Sequence, residues 1–217
     1  MKNNVLLYSL FFLLFLFLAA CTRTEPELSY AVMQLVYVQE SGVVKERFSF
    51  FVIANDEDGI ENLADLYLYH DHEGLRWHIS ERDWLSVQQD NNTWLGSRSI
   101  AMIDDEPLPR GLYRAVLVNK AGEEAARTIA FDPPVLPRFP FPSLAVADGT
   151  YTIESQYPVN YLLGYDEQGN YVQTVRLPTL QGTVADAKFN AKVKSAALWA
   201  EDQLYATSAL TDAQLVQ

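Results

Sequence analysis

The sequence predicts an all-β protein of two β-sandwich domains that follow an N-terminal export signal. Short runs rich in aromatic and β-branched residues alternate with turn signals along most of the chain. No helical period is sustained after residue 20. A proline-rich stretch at 133–143 interrupts the strand pattern, so we expect one sandwich on each side of it.

The first twenty residues have the order of a secretory signal peptide. A short start carries Lys2, an apolar run extends from Val5 to Leu18, and two alanines precede Cys21. The apolar run is shorter than the roughly 20 residues that a membrane-spanning helix requires. We therefore expect residues 1–20 to direct export.

Cys21 is the only cysteine of the chain, and the run from Leu18 to Cys21 resembles the lipobox of bacterial lipoproteins. The resemblance implies cleavage before Cys21, a lipid on its thiol and acylation of the new amino group. Several acyl chains hold a protein stably at a membrane. Residues 21–28 would then form a short tether, at most about 25 Å long. An uncleaved N-terminal anchor is the alternative.

The charge balance excludes some partners. The chain has a net charge of −12, and without residues 1–20 it has 15 Lys and Arg against 28 Asp and Glu, a net −13. Nucleic acid is excluded as a partner because binding it requires basic residues against the phosphates. A single cysteine also excludes an internal disulfide, so a hydrophobic core must hold the fold.

The first sandwich is predicted at 29–132. In the run from Phe48 to Ile53, side chains alternate between two faces, as in a strand with one face in a core. Turn clusters at 55–59 and 71–74 separate the strands. Strands are expected at 30–38, 43–54, 63–70, 75–79, 84–87, 93–95, 99–103, 111–119 and 123–131.

The stretch 133–143 holds five of the ten prolines and predicts a stiff linker. Its apolar residues Leu136, Phe139 and Phe141 are expected to contact the flanking domains. A second, smaller sandwich is predicted at 144–217, and its length is near the lower limit for a sandwich without disulfides. Its strands are expected at 149–154, 161–165, 171–177, 182–189, 194–200 and 204–208, with a helical turn or frayed end at 211–215.

The run from Leu108 to Phe131 resembles the last two strands of a fibronectin type III or immunoglobulin-like domain. In that fold a tyrosine near the start of the penultimate strand hydrogen-bonds back across a corner, and Tyr113 matches its position. Together with the lipobox and the run 55–68, the chain resembles small spirochaete lipoproteins. That resemblance implies a lipid-anchored protein of the bacterial envelope, and Thr22, which carries no inner-membrane retention signal, favours the outer membrane.

Two groups of residues are candidates for metal binding. Asp56, Asp58 and Asp65 surround Gly59, but their spacing lacks the first ligand and the final glutamate of an EF-hand. A charged turn between strands explains them without a metal. All three histidines lie within nine residues, but without an HExxH or paired-cysteine spacing. They are His70, His72 and His78. Solvated turn histidines are the simpler interpretation.

No nucleophile elbow, phosphate loop or dinucleotide fingerprint is present in the sequence. We therefore predict a non-catalytic binding or scaffolding lipoprotein without a cofactor, whose partner is a protein or a glycan. Its contacts are expected in loops at the ends of the first sandwich, around 56–61, 70–77 and 90–94. Trp94, with Asn91 and Asn92, is the first choice for the contact surface because tryptophan is frequent in binding hot spots. A metal- or solute-binding lipoprotein that uses the three histidines is the alternative.

Overall fold

The structure, a computed structural model, describes residues 24–216. The expected signal segment and Cys21 lie outside the described residues, so export and lipidation stay predictions. The described part contains sixteen β-strands, two short 3-10 turns and no α-helix. The all-β fold class is thereby confirmed. No described helix has the length and apolar character to cross a membrane.

The strands of the first part agree closely with the alternation in the sequence. They are β1 Glu27–Glu40, β2 Val43–Asn55, β3 Leu63–His70, β4 Leu75–Ser80, β5 Leu85–Gln89, β6 Asn92–Ile100, β7 Gly111–Asn119 and β8 Glu124–Phe131. The strands predicted at 93–95 and 99–103 are one strand, β6. The pairing of β6 with β2 shifts register between Phe48 and Phe50, and this bulge explains why the alternation in β6 is irregular.

The second part departs more from the prediction. Its strands are β9 Ser143–Ala147, β10 Thr150–Glu154, β11 Val159–Tyr165, β12 Tyr171–Arg176, β13 Gln181–Thr183, β14 Ser195–Asp202, β15 Thr207–Leu210 and β16 Gln214–Leu215. The predicted strand 182–189 is wrong beyond Thr183, because the chain turns there and Asp186 caps the turn through the Thr183 hydroxyl at 2.6 Å. The helical turn or frayed end predicted at 211–215 is also wrong, since β16 pairs with β14.

The strands form three sheets. The largest runs in the order β12-β11-β14-β15-β1-β2-β6-β5, with β16 also paired to β14. A four-stranded sheet has the order β4-β3-β7-β8, and a three-stranded sheet has the order β13-β10-β9. The largest sheet contains strands from both sides of the proline-rich stretch.

The two halves of the chain meet in a parallel strand pair. Leu35 of β1 is in register with Thr207 of β15, and the pairing continues to Val38 and Leu210. Beside this ladder the side-chain amide of Gln34 donates to the hydroxyl of Ser208 at 2.6 Å. The halves therefore share backbone hydrogen bonds in addition to side-chain contacts.

The core of the first half lies between the largest sheet and the four-stranded sheet. Phe48 is fully buried and contacts Trp77, Tyr113 and Phe131 edge to face, at centroid distances of 5.8, 5.4 and 4.7 Å. Such edge-to-face pairs are the preferred aromatic geometry in protein cores. The hydroxyl of Tyr113 donates to the carbonyl oxygen of Pro109, which is the corner hydrogen bond expected from the sequence.

The proline-rich stretch bends at 135–136 and 138–139 and is partly packed. Phe139 and Phe141 pack against the core, and the ring of Phe139 lies 5.2 Å from that of Tyr157. Leu136 is 78% exposed, so the contact expected for it is wrong. Arg138 lies over the ring of Tyr205 at 4.2 Å, which also holds the stretch against the second half.

Candidate functional site

One face of the first-half strands carries apolar side chains that stay accessible. In β2 the side chains of Phe48, Phe50 and Val52 enter the core, so those of Phe51 and Ile53 lie on the opposite face. Strand register places further residues beside them on that face. We call this set the open face: Tyr30, Val32, Phe51, Ile53, Leu85, Val87 and Trp94.

The open face is exposed to solvent in its outer parts. Tyr30 is 50% exposed, Val32 39% and Leu85 44%, while the other members are partly buried. The rings of Tyr30 and Trp94 meet edge to face at a centroid distance of 5.9 Å, which fixes the tryptophan against β1. A contiguous apolar surface of this kind is typical of an interaction site.

A shallow cavity of about 330 Å³ lies in the open face. It is lined by Val32, Phe51, Val87, Gln89, Trp94 and Arg98. Arg98 forms no ion pair or hydrogen bond with the described residues. Its guanidinium is therefore available to a partner, beside an aromatic wall.

Gly96 allows β2 and β6 to approach each other closely beneath the open face. A Cβ at this position would lie 2.0 Å from the carbonyl oxygen of Phe50 and 2.8 Å from the Cα of Phe51. The two strands are therefore closer here than a side chain permits.

The predicted contact residues lie at one end of the open face. Trp94 belongs to the face itself. Asn91 and Asn92 are in the turn between β5 and β6, where Asp90 and Asn91 have φ values of +50° and +63°. This left-handed pair is typical of a tight two-residue hairpin. The side-chain amide of Asn92 donates to the carbonyl oxygen of Asp90 at 3.2 Å, so Asn92 stabilises the turn and Asn91 is the exposed residue at its tip.

The three loops expected to supply contacts lie at two different ends of the sandwich. The Asp56 turn lies at the end where the described chain begins, because Asn119 donates to the carbonyl oxygen of Thr24 and to Asp56. The Asp90 turn lies at the same end, since Ile53 near the end of β2 pairs with Trp94 near the start of β6. The loop after His70 lies at the opposite end, since β3 starts beside Asn119 and runs away from it. One partner surface at the first end can therefore include the Asp56 and Asp90 turns without the loop after His70.

The rings of His70 and His72 meet edge to face at a centroid distance of 6.3 Å, whereas His78 contacts other residues. His70 is buried, and its Nε2–H donates to the carbonyl oxygen of Arg110 at 3.2 Å. His72 is exposed and lies 2.9 Å from the Glu73 carboxylate. His78 contacts Asp65 at 2.6 Å and stacks on Tyr67.

Within residues 24–216 no group of three or more His, Cys, Asp or Glu side chains is placed to hold a metal ion. Asp56 is buried and its carboxylate accepts hydrogen bonds from Asn62, from the N–H of Asp58 and from Asn119. Burial alone would raise the pKa of Asp56, and these three donors lower it instead. Its geometry is that of a structural turn.

A larger cavity, of about 600 Å³, opens at the end of the sandwich that carries His70. Two bidentate ion pairs lie beside this cavity. Arg114 pairs with Asp71 at 2.8 and 3.0 Å. Arg110 pairs with Glu46, also at 2.8 and 3.0 Å. Each guanidinium is thus already occupied by a carboxylate, which leaves little free charge for a ligand.

Comparison with known proteins assigns no family. No family model matches the chain, and no curated protein matches it. Several solved structures are similar. Dimeric latent PorU from Porphyromonas gingivalis is 12% identical over 88% of this chain and 20% of its own, with a TM-score of 0.35. The 47-kilodalton lipoprotein Tp47 of Treponema pallidum is 10% identical over 91% of this chain and 52% of its own, with a TM-score of 0.36.

The BSP domain of a biofilm-associated protein is 13% identical over 85% of this chain and 29% of its own, with a TM-score of 0.25. The chain thus spans about half or less of the length of these three structures. At such identities and TM-scores, the similarities assign neither a function nor a binding site.

Proposed function

We propose that the chain is a lipid-anchored lipoprotein of the bacterial envelope that binds a protein partner through the open face and has no catalytic role. The anchor is the acylated Cys21, and the immunoglobulin-like first half presents the contact surface. The observation that carries the proposal is the cavity where Trp94 and Arg98 stand together, beside the exposed ring of Tyr30. Tryptophan, tyrosine and arginine are the residues most enriched in binding hot spots.

The composition of the open face favours a protein over a glycan. Aliphatic side chains, among them Val32, Ile53, Leu85 and Val87, surround the aromatic rings. They offer apolar area without the hydrogen-bonding groups that sugar hydroxyls require. Apolar area of this kind is the usual core of a protein interface, and the free Arg98 suits its polar rim.

Site-specific photo-crosslinking in intact cells tests the binding proposal. A photoreactive amino acid at Leu85, at the margin of the open face, is expected to yield one discrete adduct whose mass corresponds to a protein other than a second copy of this chain. The same group at Ala126, which is exposed on β8, is the control and should give none. The additional substitution Trp94→Ala should abolish the Leu85 adduct. Equal labelling at both positions would refute the proposed surface.

The anchor is tested separately by membrane fractionation and intact-mass measurement. The mature protein should begin at Cys21 and carry fatty acyl chains, and Cys21→Ala should prevent this processing. An unmodified chain that starts at residue 1 would refute the lipoprotein assignment without affecting the crosslinking result.

A further inference from the structure

Strand β5 ends the largest sheet and leaves one backbone edge unpaired among the described residues. Gln89 and Asn92 close the two-residue hairpin, so they form a hydrogen-bonded pair and alternation makes Val87 and Trp94 another. The backbone groups of Ser86 and Gln88 therefore point away from β6. They offer two N–H and two C=O groups to an added strand.

This edge lacks the usual protection against strand pairing. Natural edge strands carry lysine, proline or inward charges, or are covered by another element. Strand β5 has the sequence Leu-Ser-Val-Gln-Gln, without charge or proline. By contrast, β4 carries Arg76, β12 ends at Arg176, and β8 lies against β1, where Arg127 donates to the carbonyl oxygen of Ser29.

The same edge is a margin of the open face. Leu85 and Val87 lie on this face, opposite Gly96 and Trp94 of β6. A strand added to β5 would extend the apolar face beyond the sheet margin and cover the exposed flank of Leu85. Backbone hydrogen bonds and apolar burial would then both stabilise the association.

We propose that β5 pairs with β5 of a second copy of this chain, antiparallel and about a two-fold axis at Val87. This register places Val87 against Val87 of the second copy, and Leu85 against Gln89 of the second copy. Ser86 and Gln88 then exchange the hydrogen bonds that their edge offers. A two-fold contact of this kind is closed, so it ends at a dimer.

The distribution of charge favours a second copy at this place. With a net charge of −12, two copies repel each other over most of their surfaces. The five residues of β5 are neutral, and the nearest acids along the chain are Asp83 and Asp90. In the proposed register Asp83 faces Asn91 and Asp90 faces Trp84, so no two acids of these strands stand opposite each other.

Cysteine crosslinking of the full chain in detergent tests the register. In a Cys21→Ser background, Val87→Cys is the added thiol. Because Val87 would form a non-hydrogen-bonded pair with its equivalent, the two Cα atoms should be about 4.5 Å apart, within the range of a disulfide. Mild oxidation should give a disulfide-linked dimer.

Leu85→Cys in the same background is the matched control. In the proposed register the two introduced cysteines at position 85 would be four residues apart along the paired strands, about 13 Å. This distance is too long for a disulfide, so no disulfide-linked dimer should form. Equal crosslinking of both variants, or none of Val87→Cys, would overturn the register.

Light scattering tests the dimer without added cysteines. Val87→Lys places two like charges opposite each other and should raise the dissociation constant by at least about 30-fold. Thr174→Lys, on the edge strand at the other end of the sheet, should change it less than about 3-fold. Circular dichroism verifies that both variants are folded. Two results would overturn the proposal. One is a wild-type chain that is monomeric at about 100 µM, a concentration at which even a weak complex should form. The other is a dimer that persists in Val87→Lys.

Discussion

The hydroxyl of Tyr113 donates a hydrogen bond to the carbonyl oxygen of Pro109 at 2.7 Å, which ties the start of β7 to the loop before it. Tyr113 is 1% exposed, and burial raises the pKa of its hydroxyl. The neutral hydroxyl is therefore the form that the fold requires. The ring also touches Phe48 and Phe131, so the corner and the core are one assembly.

Tyr113→Phe should lower the free energy of unfolding by about 1–2 kcal/mol, because the ring packing is kept and only the hydrogen bond is lost. Urea denaturation measures this change. Tyr161→Phe is the control, since the structure shows no hydrogen bond of that hydroxyl, and it should cost less than about 0.5 kcal/mol. Equal effects of the two substitutions would contradict a structural role for the corner bond.

Asp56→Asn should destabilise the fold and also change its response to acid. The pKa of Asp56 is lowered from 3.8 in the folded state, so its contribution is present above that value and is lost as the pH falls through the folded pKa. The variant places an amide against the donors of Asn62 and Asn119, which should cost about 2–3 kcal/mol at pH 7. Unfolding measured between pH 7 and pH 2 should show a shallower acid decline for the variant.

Asp58→Asn is the matched control for that experiment. Asp58 is exposed in the same turn, and its contact with Asp56 is made by its backbone N–H, which the substitution keeps. Its unfolding free energy should follow the wild-type curve within about 0.5 kcal/mol. An acid decline that is unchanged in Asp56→Asn would show that other carboxylates dominate it.

Gly96→Ala should cost at least about 2 kcal/mol, because the new Cβ would meet the Phe50 carbonyl oxygen and force β2 and β6 apart. Thermal unfolding of the variant measures the loss. Ser86→Ala, at an exposed position of the neighbouring strand, should leave the midpoint nearly unchanged. A stable Gly96→Ala variant would mean that the strands can separate at little cost.

The parallel pairing of β1 with β15 should make the two halves unfold together. Calorimetry of the full chain is expected to show one transition whose calorimetric and van't Hoff enthalpies agree. A chain that ends at Asp132 would expose the edge of β1 from Leu35 to Val38, which now pairs with β15, and should aggregate. Two separate transitions, or a soluble and stable shortened chain, would contradict this prediction.

The sequence predicts local features well because they depend on neighbouring residues. Strands β3 and β7 have the bounds that alternation predicts, and the Asp56 and Asp90 turns follow from turn chemistry. The position of Tyr113 likewise follows from a recognisable strand pair.

Long-range relationships are not contained in these local patterns. Leu35 pairs with Thr207, and Asn119 satisfies both Asp56 and the carbonyl oxygen of Thr24. The sequence of one strand does not indicate which distant strand or residue it contacts. For the same reason the adjacency of His70, His72 and His78 in the chain suggested one cluster, whereas only His70 and His72 have rings in contact and His78 faces Asp65 and Tyr67.

The open face shows a further gap between pattern and structure. Phe51 and Ile53 are as apolar as the core residues beside them, so both faces of β2 are apolar in the sequence pattern. The pattern does not say which of the two faces lies in the core. The four-stranded sheet determines this, because it covers only one of them. The signal that could have identified the face is Gly96, a glycine in a strand where close backbone approach is expected.

Strand β1 leads from the first described residues into the centre of the largest sheet, with β2 on one side and β15 on the other. A tensile force applied at Thr24 would therefore act along this strand, parallel to its axis. Such a shearing load must break many ladder hydrogen bonds at once, on both flanks. The chain is thus built to withstand pulling from its N-terminal side, where a tether would transmit the drag of anything that is bound.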